Sequence, residues 1–359
     1  MSLNSTLYRL ANPFIDPPTF DFWASKISPT LSWNRCLAKV VERRAEAKGS
    51  VTLVLKANRH FKGFQPGQHL NVTVDVNGVR HTRSYSFTGI PRSDRLISLT
   101  IKHIDGGKVS TALCRQVQVG DVLELSPAFG DMTLPKSPTA PVLLLAAGSG
   151  ITPLMSLIRA LTQQPLNQTV TLLYWARTRA ELCFLQELEA LAKRDTRFIP
   201  CFVLTREPKL LPGELTGRPS EAMFAEIING LDTQQVYACG PGGFVNNVKE
   251  LLDGRVKSFQ AEAFTLPATE VGDVGVVQVH LKASGRTLTL PAGESLLTAL
   301  ESQGVVPRSG CRMGICNTCS CIKTGGTTEN MITGVLESEP TGALKICINR
   351  PRTDLTLEL

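Results

Sequence analysis

The chain has 359 residues, a formal charge of +7 and 19% charged residues, enough length for two or three domains with real cores. Its Lys and Arg are spread, with no like-charge block and no basic stripe interleaved with aromatics, which argues against a nucleic-acid face and leaves room for an acidic partner or peripheral membrane contact. Residues 1–10 lack an apolar signal-peptide core and no stretch approaches about 18 uninterrupted apolar residues, so a cytoplasmic chain without a transmembrane helix is expected.

Residues 1–33 carry Pro13, Pro17, Pro18 and Pro29 with Phe14, Phe20, Phe22, Trp23 and Trp33, the composition of an extended or short-helical arm that packs on a body. Residues 34–137 read as strand: Cys36–Val41, Val51–Lys56, His69–Val76, Arg80–Phe87, Leu96–Lys102 and Val122–Ser126 are β-rich or alternating. Asn77-Gly78 is a two-residue hairpin turn, and Lys108–Val117 is a helical interruption. A small antiparallel barrel follows from this pattern. Residues 138–266 alternate strand and helix. The strands are Val142–Ala147, Thr169–Trp175, Phe198–Leu204 and Gln235–Cys239. A helix follows the first, and Ala180–Lys193, Ser220–Ile228 and Phe244–Leu252 follow the others. The apolar Val142–Ala147 suits a parallel sheet covered on both faces, with a nucleotide-binding prior.

Residues 267–275 read as a linker. Residues 276–359 give strands Val276–Lys282 and Arg286–Leu290, a helix Ser295–Gln303, a cysteine loop, and strands Leu344–Ile348 and Leu355–Leu359. That order is a β-grasp. The fold class is therefore multidomain: an antiparallel β-barrel, an α/β parallel-sheet nucleotide-binding domain, and an α+β β-grasp domain of ferredoxin type.

The cysteine loop carries the most specific chemistry. Ten cysteines without a secretory context argue for metal ligands plus core thiols rather than disulfides. Cys311, Cys316 and Cys319, with Cys347 downstream, have the spacing of a plant-type [2Fe–2S] site. Structural zinc favours paired C-x₂-C units instead. Gly310 and Gly314 let the backbone wrap the cluster, and Arg312 would add positive charge beside it. Alternation along an exit strand turns Cys321 away. Cys36, Cys114, Cys183 and Cys201 read as small buried hydrophobes. The five histidines show no ligand spacing and read as satisfied strand or surface residues.

Two glycine segments point to nucleotides. Gly106-Gly107-Lys108-Val109-Ser110 precedes a helix. Gly148-Ser149-Gly150-Ile151-Thr152-Pro153 follows the strand Val142–Ala147, with Thr152 suited to an N-cap and Pro153 to the first helical position. This is not the G-x-G-x-x-G fingerprint, because Pro153 stands where the third glycine would. Cys239-Gly240-Pro241-Gly242-Gly243 is a second glycine turn.

With Arg83-Ser84-Tyr85-Ser86, these segments resemble the ferredoxin–NADP⁺ reductase superfamily. The module order resembles its members with a fused C-terminal ferredoxin, such as the phthalate dioxygenase and phenylacetyl-CoA epoxygenase reductases. The resemblance implies that Arg83 pairs with flavin phosphate, Tyr85 stacks on the flavin and Ser86 approaches its reactive edge. It implies that Gly106, Gly107 and Ser110 hold the pyrophosphate, and that Gly148, Gly150, Thr152 and Pro153 take the nicotinamide dinucleotide. Cys239 and Gly240 would lie near the nicotinamide, and Glu262 and Phe264, from an E-x-F segment, beside it. Catalytic roles would fall to Tyr85, Ser86, Cys239 and Glu262.

Arg177 and Arg206 resemble a 2′-phosphate site, which implies NADPH over NADH. The phosphate segment resembles FAD-binding members more than FMN-binding ones. The activity implied is electron transfer from NADPH through FAD and a [2Fe–2S] cluster to a terminal oxygenase, or to a membrane desaturase, which the leader favours. Alternatives are an NADH-dependent reductase of a Rieske-type oxygenase and a redox-sensing module with little turnover. Residues 276–359 carry eight Lys/Arg against seven Asp/Glu, so the acceptor is not expected to dock mainly through a basic face.

Overall fold

The structure, a computed structural model, describes residues 16–135, 140–264 and 275–359. Pro13, Phe14 and all of the expected linker except Gly275 lie outside the described residues. The arm does form a short helix, α1 (Pro17–Ile27). The Asp16 carboxylate accepts the Thr19 amide at 3.1 Å and caps it. Asp21 ties the helix to the body by accepting from Trp33 N at 2.7 Å and Ser32 Oγ at 2.9 Å. Phe20 packs edge-on against the buried Trp33.

The barrel strands are β1 (Leu37–Ala47), β2 (Ser50–Ala57), β3 (His69–Val76), β4 (Val79–Ser86), β5 (Leu96–Lys102) and β6 (Val122–Leu125). They are antiparallel in the order β4-β3-β6-β1-β2-β5. A bridge between Phe87 and Leu99 brings the two outer strands together. Every second residue points inward, so Leu53, Leu55, Ile97, Leu99 and Ile101 fill one core. The first strand runs on to Ala47, past the Val41 read from sequence. Glu42, Arg43 and Arg44 hide the strand by their polarity, yet pair with Val54, Leu53 and Thr52. Asn77 and Gly78 both take positive φ, 55° and 76°, as a primed hairpin turn requires. The helical interruption is one α-turn, α2 (Lys108–Thr111), continued as a π-turn over Ala112–Gln116.

The second domain is a five-stranded parallel sheet in the order β11-β10-β7-β8-β9. Its strands are β7 (Val142–Ala147), β8 (Val170–Ala176), β9 (Phe198–Leu204), β10 (Gln235–Gly240) and β11 (Ser258–Ala263). Helices α3 (Ile151–Leu161) and α4 (Leu185–Arg194) flank it with α5 (Glu221–Ile227) and α6 (Gly242–Leu252). Separate apolar clusters cover its two faces. β11 was not read from the sequence, because Ser-Phe-Gln-Ala-Glu-Ala is a half-exposed edge without an apolar run. The helix expected over Ala180–Lys193 is broken. Phe184 sits at φ 61° and turns its ring into the core, leaving a 3₁₀ turn before α4.

The third domain carries β12 (Val276–Leu281), β13 (Arg286–Pro291), α7 (Leu296–Ser302), β14 (Ser320–Gly325), β15 (Thr328–Asn330), β16 (Leu336–Glu337), β17 (Thr341–Lys345), β18 (Asn349–Pro351) and β19 (Leu355–Leu357). The main sheet, β13-β12-β19-β14-β17, pairs its first strand β12 with its last, β19, in parallel, as a β-grasp does. The strand expected over Leu344–Ile348 stops at Lys345. A turn over 346–348 carries Cys347 towards the cysteine loop instead.

The first two domains are locked together through α3. Ser156 Oγ donates to Gly89 O at 2.6 Å, and Arg159 donates to Thr88 O at 2.6 Å. Ser156 is fully buried. Ser156→Ala leaves the Gly89 carbonyl without this donor and is expected to cost about 1–3 kcal/mol, read as a lower urea midpoint.

Candidate functional site

One cavity of about 520 Å³ lies where the three domains meet, within the range of small-ligand sites. Arg83, Tyr85 and Ser86 from β4 form one wall, and Gly107 to Ser110 another. Glu262 and Phe264 enter from β11 and its exit. Cys311, Arg312, Met313, Ile315 and Cys347 close it from the third domain. The sequence expectations for Arg83, Tyr85, Ser86, Gly107, Ser110, Glu262 and Phe264 thus converge on one space.

The residues present fit an anionic, planar ligand. Arg83 is half-buried, gives one N–H to Thr82 O at 2.7 Å, and has no ion-pair partner among the described residues. Burial, then the nearby Arg312, lowers its pKa, so a phosphate there would relieve an uncompensated charge. Burial pushes the Tyr85 phenol well above its ordinary range, so it stays neutral. Two sequence expectations shift. Gly106 makes the turn with φ +74° but does not line the cavity. The Ser110 hydroxyl accepts the Ile104 amide at 3.2 Å and donates to Gly107 O at 3.2 Å, so it shapes the loop.

The cysteine loop fits a binuclear cluster. Cys311 Sγ accepts from the amides of Met313, Ile315 and Cys316, each at 3.3 Å. Cys316 Sγ accepts from Cys311 N at 3.2 Å. The Cys316 and Cys347 thiols and these amides hold Cys311 well below its ordinary pKa, and Cys347 also faces Cys319. Among the described residues no three Cys, His, Asp or Glu side chains form a single-ion site. A [2Fe–2S] cluster spreads its four thiolates over two irons instead. Arg312 and Asn317 sit at φ 60° and 55° in this loop, local strain of the kind stored at functional sites. Gly314 takes φ +75°, which strains any other residue, and a Cβ there would also lie 2.4 Å from Ile348 Cδ1. The Arg312 charge is compensated, contrary to the sequence reading, by a two-pronged pairing with Glu301. Cys321 packs in the β-grasp core, where burial raises it to about 12.

His69 departs from the expectation of a satisfied histidine. It is 3% exposed, and neither ring nitrogen makes a hydrogen bond among the described residues. Its Nδ1 lies 3.5 Å from Glu262 Oε2, which is also unpaired. Nothing in ligand spacing singles it out; the available signal is its place after Gly67 at the head of β3.

The two glycine turns meet at the carboxyl ends of β7 and β10, the switch point of the sheet. A Cβ on Gly150 would lie 1.9 Å from Cys239 O, and one on Gly240 2.9 Å from Ala147 Cβ. Gly148 takes φ +56° and starts a 3₁₀ turn. Because the chain is already helical at Gly148, Thr152 is not an N-cap and Pro153 is not the first helical residue. Thr152 Oγ1 donates back to Ser149 O at 2.9 Å. Cys239 is fully buried in the sheet core, and burial, with Glu262 nearby, raises its pKa. Arg177 pairs with Glu181 at 3.2 Å, while the exposed Arg206 side chain has no partner among the described residues. Arg206 N donates to Arg177 O at 2.7 Å, setting the two side by side.

Comparison with known proteins agrees with this division. Residues 38–133 match the oxidoreductase FAD-binding domain, 144–250 the oxidoreductase NAD-binding domain and 279–351 the 2Fe-2S iron-sulfur cluster binding domain. An "NADPH oxidoreductase" of Mycobacterium tuberculosis is 29% identical over 98% of this chain and 92% of its own. "NADH oxidoreductase HCR" of Escherichia coli is 31% identical over 82% and 88%. The ferredoxin reductase component of the 3-ketosteroid-9-alpha-monooxygenase of Rhodococcus rhodochrous is 29% identical over 89% and 94%. The solved phthalate dioxygenase reductase shares the fold, with TM-score 0.59 and 23% identity over 90% of this chain and 97% of that one.

Burial raises Glu262 to about 8, with Asp131 adding to it, and lowers His69 to about 4. Unfolded, they return to about 4.3 and 6.5. Between these unfolded values the native state holds an extra proton on Glu262 and lacks one on His69, so the two slopes cancel. Above about pH 6.5 only Glu262 acts. The native state then binds more protons than the unfolded one, so stability falls as pH rises towards about 8, by up to about 1.4 kcal/mol per pH unit. Urea unfolding at pH 6.5 and 8 is expected to show this loss in the wild type and a flatter response in Glu262→Gln.

Proposed function

The chain belongs to the flavin-dependent oxidoreductases that join an FAD-binding, an NAD-binding and a C-terminal 2Fe–2S domain, and we propose that it draws electrons from NADPH and delivers them to a terminal oxygenase. As a member of that family it is an NAD(P)H-dependent oxidoreductase with FAD and a [2Fe–2S] cluster as its cofactors. The observation that carries the reading is the single cavity bounded both by Arg83, Tyr85 and Ser86 and by Cys311 and Cys347. Bound there, the two groups turn a two-electron donor into one-electron output.

The protein's part is to bind, orient and exclude water. Arg83 pairs with the flavin phosphate, and the amides from Gly107 to Ser110 support the pyrophosphate. Tyr85 packs its neutral ring on the flavin, and Ser86 faces the reactive edge. The Gly148–Gly150 turn and Gly240 let the dinucleotide backbone come close to the sheet. Glu262 and Phe264 meet the nicotinamide side. Cys239 contributes its backbone, since its thiol is buried. Cys311, Cys316, Cys319 and Cys347 hold the cluster, and the amides on Cys311 Sγ stabilise its charge.

Arg206 supports NADPH, being an exposed guanidinium available to a 2′-phosphate. Arg177, held by Glu181, is the weaker candidate. The monooxygenase component among the relatives supports an oxygenase as acceptor. A fatty-acid desaturase is the finer alternative, and α1, with Phe22, Trp23 and Ile27 exposed, offers such a system a peripheral membrane contact. Among the described residues no helix is long and apolar enough to cross a membrane, and the reading puts the protein in the cytoplasm.

Arg206→Ala is expected to lower the ratio of kcat/KM for NADPH to that for NADH by about 10-fold or more. An unchanged ratio removes Arg206 from the assignment. Cys316→Ser is expected to abolish the cluster signal in electron paramagnetic resonance while flavin reduction by NADPH survives. Loss of both would mean that the two sites do not act separately.

A further inference from the structure

His69 and Glu262 come from different domains and meet at the cavity. Both are buried, both line it, and His69 Nδ1 and Glu262 Oε2 face each other at 3.5 Å with no other partner among the described residues. Buried polar atoms without partners are costly, so an arrangement that leaves three unpaired among the described residues needs a reason. The surroundings are built around the ring. Phe129 meets it edge-on at 4.3 Å. Gly130, at φ +113°, has no Cβ where one would lie 2.6 Å from His69 Cε1 and 3.3 Å from Glu262 Oε1. The charged or titratable groups facing the pair are Asp131, Cys239 and Cys311.

We propose that His69 is a positioning residue for Glu262, its Nδ1 accepting a hydrogen bond from the carboxyl and so aiming that carboxyl at the nicotinamide side of the flavin cavity. The inference rests on the flavin and nucleotide reading above. The 3.5 Å gap is longer than a finished hydrogen bond, as catalytic contacts often are before ligands close the site. The arrangement explains why the buried imidazole faces the cavity. It also makes the orientation of Glu262 depend on how the barrel sits against the nucleotide domain.

The test uses the full-length holoprotein. His69→Phe keeps a ring against Phe129 but removes the acceptor; His69→Gln keeps an acceptor. In infrared difference spectra at neutral pH, a protonated carboxyl band of Glu262, identified by its loss in Glu262→Gln, is expected in the wild type. It should move to higher frequency in His69→Phe and return towards its wild-type position in His69→Gln. The rate of flavin reduction by NADPH should fall about 10- to 100-fold in His69→Phe, and no further in His69→Phe combined with Glu262→Gln than in Glu262→Gln alone. An absent Glu262 band, an unmoved band in His69→Phe, or additive slowing in the double variant overturns the proposal. A protein that binds no flavin would instead refute the functional reading, and the infrared result would still decide the His69–Glu262 contact.

Discussion

Everything in this molecule depends on how closely the cysteine loop lies against the barrel. Gly310 sits at the contact. A Cβ there would lie 2.8 Å from Cys316 Sγ and 3.1 Å from Asn71 Nδ2, so no larger side chain fits without displacement. Asn71 is itself fixed, because its Oδ1 accepts from Ser84 Oγ at 2.6 Å, between Arg83 and Tyr85. Close packing of this kind transmits position without slack. It brings Cys311 and Cys347 to the wall of the cavity that Tyr85 and Ser86 also line. Electron transfer weakens steeply with separation, so in the proposed function this contact joins the three domains into one electron path.

The same contact orders the electrostatics. Arg83 and Arg312 approach each other across the cavity, which would be costly if both charges stood alone. Glu301 on α7 compensates Arg312, and Arg83 has no ion-pair partner among the described residues. On the nucleotide side Arg179 is taken by Glu207 and Glu214 and Arg177 by Glu181, which leaves Arg206 as the unpaired one of these three among the described residues. In both places the structure separates arginines that hold the fold from one that can hold a phosphate.

Much of this was legible in the sequence. The spacing of Cys311, Cys316, Cys319 and Cys347 reads as a cluster site, because a cluster's geometry dictates which residues must be near, and residues 279–351 match a 2Fe-2S binding domain. The glycines at 148, 150 and 240 mark close backbone approach, and each proves to be needed for a turn or a contact. What stayed hidden depended on tertiary contact. β11 is an edge strand whose polarity conceals it. Phe184 breaks a helix only because its ring has a core to enter. The buried thiol of Cys239, the pairing of Arg312 with Glu301 and the unpaired ring of His69 are facts about neighbours distant in the chain. The contribution of Cys311 and Cys347 to the wall that Tyr85 also lines brings the separate motifs to one cavity.

The most direct test of that path is anaerobic titration of the holoprotein with NADPH, followed by electron paramagnetic resonance without added mediators. The reduced-cluster signal is expected to grow as the flavin absorbance bleaches, with both accessible to the same nucleotide. Bleaching of the flavin with no cluster signal, until an external mediator is supplied, would contradict that path.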